Sequence, residues 1–415
     1  MRWTLTISFI LAAWMLSASA EINLNGYIKL DERLGLENKG EITWNRATLG
    51  LKAKSEQSGQ VSGYSELRFF TQVASLEVEL REAYIDFFVF PFANTDLRIG
   101  KQRIAWGTAD KLNPTDNLNP YDFTDLLDFG EKDGSIAIKS TTYINDNTLT
   151  LAYLPVFSSS IMPATYNSSL NSAVSAYLPT GFSLASLATT TTLPQNHVRQ
   201  SMFGVKLDRN IKGLDMSFSY FSGWDSVPNL SNLSLQAVSA TQMAGTLTLN
   251  YPRITVLGYD LAGSFSGIGF WAELANFNPE NLTQTVALPT PLPTVTSTIN
   301  NYTKYTLGFD YNFTNGIYLN SQFMHGFYDE RGSNLTNLLF ATAEKKFMDE
   351  KLAAKLVWAG DLDKTGYILG PQLSYTPYDA TEIEVGVFSI DGQTGSKLSS
   401  MKTMDQLYMK VKYSF

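Results

Sequence analysis

The sequence predicts an all-β fold, a single transmembrane antiparallel barrel of about 18 strands. Three observations predict it. Apolar and polar residues alternate with period two in many segments of about 10 residues each. Short turns alternate with long connections along the chain, and the final segment ends in an aromatic residue, Phe415. A barrel of about 16 strands is the nearest alternative.

The first 20 residues have the pattern of a secretory signal peptide. Arg2 supplies the positive end, residues 5–16 the apolar stretch, and Ala18-Ser19-Ala20 the small residues of a cleavage site. An apolar stretch of about 12 residues is too short to cross about 30 Å of hydrocarbon as a helix. We therefore expect cleavage after Ala20, so that residues 21–415 form the mature barrel.

Composition excludes several other classes of protein. The chain has no cysteine, so it can form neither disulfides nor thiolate metal sites. No later stretch approaches the roughly 18 consecutive apolar residues of a spanning helix. The net charge of -8 gives no basic surface for nucleic acid. Neither of the two histidines, His197 and His325, has a partner spacing typical of catalysis. We expect no enzyme activity, no cofactor and no metal site, although the sequence leaves open whether acidic residues bind a cation.

The alternation of side chains locates the strands. In the first segment Leu24, Ile28 and Leu30 face one side, whereas Lys29 and Asp31 face the other. The same pattern recurs along the chain. The predicted strand centres are Tyr27, Thr48, Ser65, Tyr84, Gly100, Ala137, Ala152, Gly204, Phe218, Leu257, Trp271, Leu307, Asn320, Phe340, Leu356, Leu373, Val385 and Met409.

The connections are of two kinds. Tight turns are predicted at residues 91–95, 145–146, 209–212 and 315–316, and long loops at 105–133, 158–197, 225–249 and 278–300. This is the arrangement of short periplasmic turns and long extracellular loops in an outer-membrane barrel. The Ser/Thr-rich tracts at 166–192 and 283–298 are expected to be solvated loops of limited order, with an adhesin or phage-receptor role as the alternative.

The last strand alternates apolar residues with Tyr408, Lys410 and Lys412. Here the chain resembles bacterial outer-membrane barrels in general, whose terminal aromatic residue is recognised by the barrel-assembly machinery. The resemblance implies that Tyr413 and Phe415 act as an assembly signal, and that the barrel-assembly machinery and outer-membrane lipids are partners.

The loop at 105–133 is unusual in length and composition. It contains Asn113-Pro114-Thr115-Asp116 and Asn119-Pro120-Tyr121-Asp122, two turns in which proline prevents a helix or strand from continuing. A structureless connection of about 29 residues is commonly functional. We expect this loop to fold into the barrel and to form its constriction. Its candidate constriction residues are Asp116, Asp122, Asp125 and Asp128.

The strands before this loop are expected to place a mixed-charge wall opposite it. Side chains whose parity is opposite to the apolar set point into the lumen. The candidate constriction residues on this wall are Arg46, Arg68, Arg98, Glu66, Glu82, Asp86 and Gln102. Charged side chains at a narrow point select among ions and solutes. The same charges can also serve only to hold the loop, since charges in a lumen need partners.

The pattern Arg98-x-Gly100-x-Gln102-x-x-x-Trp106-Gly107, followed by the two Asn-Pro-x-Asp turns, resembles a family of bacterial outer-membrane proteins defined by a domain of unknown function and porin-like in character. Members tend to be longer and to carry a Glu soon after the Trp-Gly, where this chain has Thr108-Ala109-Asp110. The resemblance covers about a fifth of the chain. It implies barrel architecture and does not imply a substrate.

The sequence therefore predicts a porin or channel in the outer membrane of a Gram-negative bacterium, for passive passage of small hydrophilic solutes or ions. Homo-oligomerisation as a trimer is compatible with it. The alternatives are a non-conducting surface barrel of the adhesin or receptor type, and a channel for small hydrophobic compounds.

Overall fold

The computed structural model describes residues 21–37, 40–55, 59–72, 75–163, 165–289, 293–393 and 395–415. The predicted signal peptide, residues 1–20, lies outside them. Among the described residues, no helix is long and apolar enough to cross a membrane. These residues form 25 strands and one α-helix, α1 (Tyr166–Ser175). The strands are β1 (Ile22–Gly35), β2 (Ile42–Ser55), β3 (Val61–Gln72), β4 (Ser75–Phe87), β5 (Thr95–Gln102), β6 (Tyr121–Asp122), β7 (Glu131–Lys132), β8 (Ser135–Ile144), β9 (Asn147–Leu154), β10 (Ser183–Thr192), β11 (Met202–Ile211), β12 (Leu214–Trp224), β13 (Asn229–Ala237), β14 (Gln242–Asn250), β15 (Arg253–Phe265), β16 (Ile268–Pro279), β17 (Thr283–Ala287), β18 (Val295–Thr298), β19 (Tyr302–Asn312), β20 (Ile317–His325), β21 (Asn337–Phe347), β22 (Leu352–Asp361), β23 (Gly366–Tyr375), β24 (Thr381–Gly392) and β25 (Gln406–Ser414).

Eighteen of these strands form one closed antiparallel barrel. Each barrel strand pairs with the next one along the chain, and β1 closes the sheet by pairing with β25, for example Ile28 with Tyr413. The predicted count of about 18 is confirmed, and the alternative of about 16 is wrong. Every predicted strand centre lies within one of the eighteen strands. The strands outside the barrel are β6, β7, β10, β13, β14, β17 and β18.

The outer surface of the barrel is apolar because the period-two pattern places one set of side chains outward. On β1, Leu24 and Leu30 are exposed, whereas Asp31 and Arg33, which have the opposite parity, are each only 2% exposed. Exposed leucine and isoleucine on one face and buried charge on the other are the reverse of a soluble sheet. This polarity suits a barrel that faces lipid outside and polar groups inside.

The long connections all lie at one end of the barrel. The connections at the other end are short, with residues 145–146, 212–213 and 266–267 as the tightest turns. Because the strand number is even, the first and last strands begin and end at this short-turn end, where Phe415 exchanges two backbone hydrogen bonds with Gly26.

The long connections between β9 and β19 are not the loosely ordered loops that the Ser/Thr content predicts. Their described residues form a five-stranded sheet, β10-β14-β13-β17-β18, next to α1. Val174, Leu233 and Leu247 are completely buried in a hydrophobic core that belongs to this sheet alone. The expectation of limited order is wrong for the described residues of the two tracts, which form α1, β10, β17 and β18. Leucines and Met243 at alternate positions of the neighbouring β13 and β14 pack together once these strands pair.

Candidate functional site

The connection between β5 and β8, which we call the inner loop (residues 103–134), crosses the interior of the barrel. Its backbone and side chains make hydrogen bonds with Arg33 on β1, Glu273 on β16 and Gln322 on β20. β16 and β20 lie on one side of the barrel, separated by β19, and β1 lies across the barrel from them. The two short strands β6 and β7 pair with each other within the inner loop.

Glu273 is the main anchor of the first half of the inner loop. Its Oε1 accepts hydrogen bonds of 2.5 Å from the backbone N–H groups of Thr108 and Ala109. Gly107 has a φ of +84°, and a Cβ there would lie 2.6 Å from the same oxygen. Only glycine allows this approach, which explains the Trp-Gly in the sequence. The Thr115 hydroxyl lies 2.9 Å from carboxylate oxygens of both Glu273 and Asp260, two buried residues paired across β15 and β16.

The two Asn-Pro-x-Asp turns are held by their own side chains. Asp116 Oδ1 accepts from the backbone N–H groups of Leu118 and Asn119, and Asp122 Oδ1 accepts from that of Thr124. Asn119 also bridges the loop to its start, because its side chain both donates to and accepts from the backbone of Ile104. Side-chain oxygens that cap backbone donors make such turns rigid.

A bidentate ion pair fixes the middle of the inner loop. Both oxygens of Asp125 accept 2.7 Å hydrogen bonds from Arg33, whose remaining donors bind the buried Asp31 on the same strand. Burial raises the pKa of Asp125, but the hydrogen bonds from Arg33 outweigh that effect and lower the pKa of Asp125 to about 2. The pair is therefore fully charged at neutral pH.

Three cationic side chains, on β3, β4 and β5, hold the end of the inner loop. Glu131 Oε1 lies 2.8 Å from Arg81 and 2.9 Å from Arg68, and Asp133 lies 2.9 Å from Lys101. Arg81 points inward because β4 contains an extra residue there: Glu66 pairs with Glu82 but Leu67 pairs with Leu80. A bulge of this kind changes the direction of one side chain.

The predicted wall residues take different positions. Of the predicted loop carboxylates, Asp125 meets Arg33, and Asp128 is more than half exposed, 3.8 Å from Lys111. Asp122 lies 3.9 Å from Arg81, and Asp116 lies 3.6 Å from Lys132. On the wall, Arg68 and Glu66 lie 3.9 Å apart, and Arg98 forms a bidentate pair with Asp86. Glu82 accepts a hydrogen bond from the backbone of Arg103, and Gln102 is buried and donates to the backbone of Ala137. Arg46 stacks on Trp44 and Phe70. Arg68 also pairs with Glu131 of the inner loop.

Sequence reasoning missed the residues that hold the loop most firmly. Arg33, Arg81 and Glu273 were not among the candidates, although each is at most 4% exposed and hydrogen-bonded to the loop. Parity alone could have placed Arg33 inside, since it continues the inward set of β1. The partner of each residue depends on which strands face the loop, and no local pattern contains that information.

A cavity of about 460 Å³ separates the inner loop from strands β20–β25. Leu112, Leu127 and Phe129 line it from the loop, and Phe340, Ile368 and Phe388 line it from the wall. On the opposite side of the barrel Trp106 and Leu118 join a buried cluster with Ala152, Met202 and Ile254. Two further spaces border the inner loop, one of about 510 Å³ lined by Arg98 and Glu131 and one of about 290 Å³ lined by Lys206 and Asp260. The lumen therefore remains open on more than one side of the inner loop.

No protein-family model matches the chain, and the search of curated proteins found no match. Among solved structures, OccK9 (OpdG) of Pseudomonas aeruginosa is similar, with 9% identity, a TM-score of 0.52 and coverage of 96% of this chain and 98% of that one. Two others are OmpT of Vibrio cholerae, described as an outer-membrane protein in a trimer form (8% identity, TM-score 0.45, 96% and 100% covered), and Salmonella typhi OmpF in complex with daunomycin (10%, 0.43, 95% and 98%). At this identity the likeness to OccK9 supports the porin-like barrel fold and nothing finer.

Proposed function

We propose that this protein is an outer-membrane channel for passive passage of small polar solutes, in which the inner loop sets the narrowest point. The observation that carries the proposal is the position of the inner loop. It is tied to strands on several sides of a closed barrel, yet leaves a cavity of about 460 Å³ beside it. A loop held in this way narrows a lumen without filling it.

The resemblance to the family of unknown function, export by a signal peptide, the assembly role of Tyr413 and Phe415, and a trimeric state are parts of the same proposal. Each agrees with an outer-membrane location. The pairing of Phe415 with Gly26 at the barrel seam supports the assembly role, because closure of the sheet involves the terminal residue itself.

Single-channel conductance in planar bilayers tests the proposal. Deletion of residues 113–128 removes the middle of the obstruction, so we expect a larger conductance than in the unaltered barrel. Folding of the deletion variant is checked by its resistance to unfolding in detergent. If the folded variant and the unaltered protein conduct equally, the inner loop does not set the narrowest point.

Ion preference gives a second readout. Asp128 lines the cavity and its side chain is 56% exposed, whereas Asp125 is neutralised by Arg33. Asp128→Asn should therefore reduce cation preference, and the matched control Glu350→Gln, in a short turn with its side chain 76% exposed, should not. A folded protein that conducts no ions at any voltage would instead support the non-conducting surface barrel.

A further inference from the structure

The cavity beside the inner loop changes in polarity along its length. The inward side chains of the wall form rows across β21–β24, and successive inward residues on one strand lie about 7 Å apart. Among the rows that line the cavity, the one nearer the long-loop end contains Phe340, Ala359 and Ile368. Two rows further toward the short turns, the paired residues are Glu344, Lys355 and Gln372.

The polar row contains two side chains of opposite charge, Glu344 and Lys355, that lie more than 4.0 Å apart at their charged atoms. Glu344 and Lys355 are directly opposite across β21 and β22, and both are partly buried and line the cavity. Within the described part of the chain neither makes an ion pair within 4.0 Å, in contrast to Glu384 and Lys410 nearby, which lie 3.5 Å apart. Half-buried charges without protein partners are available to a solute.

The inner loop lines the facing side of the cavity with both apolar and charged residues. Phe129 stacks on Phe327 with ring centroids 5.7 Å apart, and these rings lie opposite the apolar row of the wall. Asp110 and Lys111 also line the cavity, and Asp110 lies at the level of the apolar row, because its backbone bonds to Gln322, the partner of Phe340. A solute in this space meets an apolar region and, about 13 Å away, a region with separate cationic and anionic groups.

From this arrangement we propose that the cavity binds small zwitterions with an apolar body, that is, molecules with an ammonium and a carboxylate on one head and a hydrophobic or aromatic group on the other end. The ammonium would lie against Glu344, the carboxylate against Lys355, and the apolar body against Val357, one row and about 7 Å away, on the side toward Phe340 and Ile368. This inference refines the solute class of the proposed channel and rests on that function.

The test compares four probes on the detergent-solubilised barrel by titration calorimetry. Phenylalanine carries both charges and an apolar body, phenylpropionate lacks the ammonium, phenethylamine lacks the carboxylate, and glycine lacks the apolar body. Phenylalanine should bind more tightly than each of the other three by about tenfold, because each loses one charge-assisted contact or the apolar contact. Equal binding of phenylalanine and phenylpropionate, or of phenylalanine and glycine, would overturn the proposal.

Variants locate the site. Lys355→Gln should weaken phenylalanine binding by about tenfold and leave phenethylamine binding unchanged. Glu344→Gln should also weaken phenylalanine binding by about tenfold but leave phenylpropionate binding unchanged. Lys345→Gln is the matched control, since Lys345 is next to Glu344 on β21 but has the opposite parity. If Lys345→Gln is as harmful as Lys355→Gln, the site is not in this cavity. Calorimetry does not require transport, so the two proposals can fail separately. Phenylalanine binding without any conductance would reject the channel function and support the binding site. Conductance without preferential phenylalanine binding would support the channel function and reject the binding site.

Discussion

At the scale of single residues, the inner loop depends on a few buried charges. Glu273 accepts from the backbone of Thr108 and Ala109 and approaches the Thr115 hydroxyl. Arg33 binds Asp125 through two hydrogen bonds. Each charge-assisted hydrogen bond contributes about 1.5–3 kcal/mol, so the loss of either anchor should loosen the loop without unfolding the barrel.

The first prediction concerns Glu273. Replacing it with glutamine removes the negative charge and one of the two acceptor oxygens that hold the first turn of the loop. We expect Glu273→Gln to increase open-channel noise and to make the loop sensitive to added protease. Glu280→Gln at the end of the same strand is the control, because that side chain is 66% exposed. Equal noise in both variants would show that Glu273 does not anchor the loop.

The second prediction concerns pH. The pKa of Asp125 lies at about 2, below its usual value of 3.8, because Arg33 stabilises the carboxylate. The folded loop therefore gains stability from this group, about 2 kcal/mol, at pH values above 3.8 and loses it as the pH falls toward 2. Loss of this stabilisation should change the conductance between pH 4 and 2. In Asp125→Asn that acid-induced change should be smaller, and an undiminished change would assign the transition to another group.

At the scale of elements, the five-stranded sheet with α1 is a folding unit above the barrel. Its core residues Leu233 and Leu247 are fully buried and do not contact the barrel clusters. The barrel strands, in contrast, are held by pairing that continues around the full circle. The two units can therefore lose stability separately.

The third prediction follows from that separation. Leu247→Ala leaves a cavity in the core of the small sheet and should destabilise it by about 2–5 kcal/mol. Proteolysis of residues 166–250 should become faster, while the melting of the barrel and its conductance stay unchanged. Val238→Ala is the control, since Val238 is 58% exposed at the end of β13. A parallel loss of barrel stability would show that the two units unfold together.

At the scale of the whole molecule, the inner loop divides the interior of the barrel into a packed cluster and several open spaces. Trp106, Leu118 and Met202 belong to the cluster that packs the inner loop against β8–β16. The opposite wall, β20–β25, faces the cavity that Glu344 and Lys355 line. Both proposals concern the space along that wall.

The sequence by itself determined the barrel. Period-two alternation placed all eighteen strand centres, and the length of the connections predicted which ones are long, because strand formation and lipid exposure depend on local side-chain order. It also indicated the turns of the inner loop, since Asp116 and Asp122 cap groups only two or three residues away. Tertiary structure alone decided which charges meet. Asp125 binds Arg33, 92 residues away, and Glu273 binds Ala109, 164 residues away, because closure of the sheet sets the direction in which each strand faces the loop.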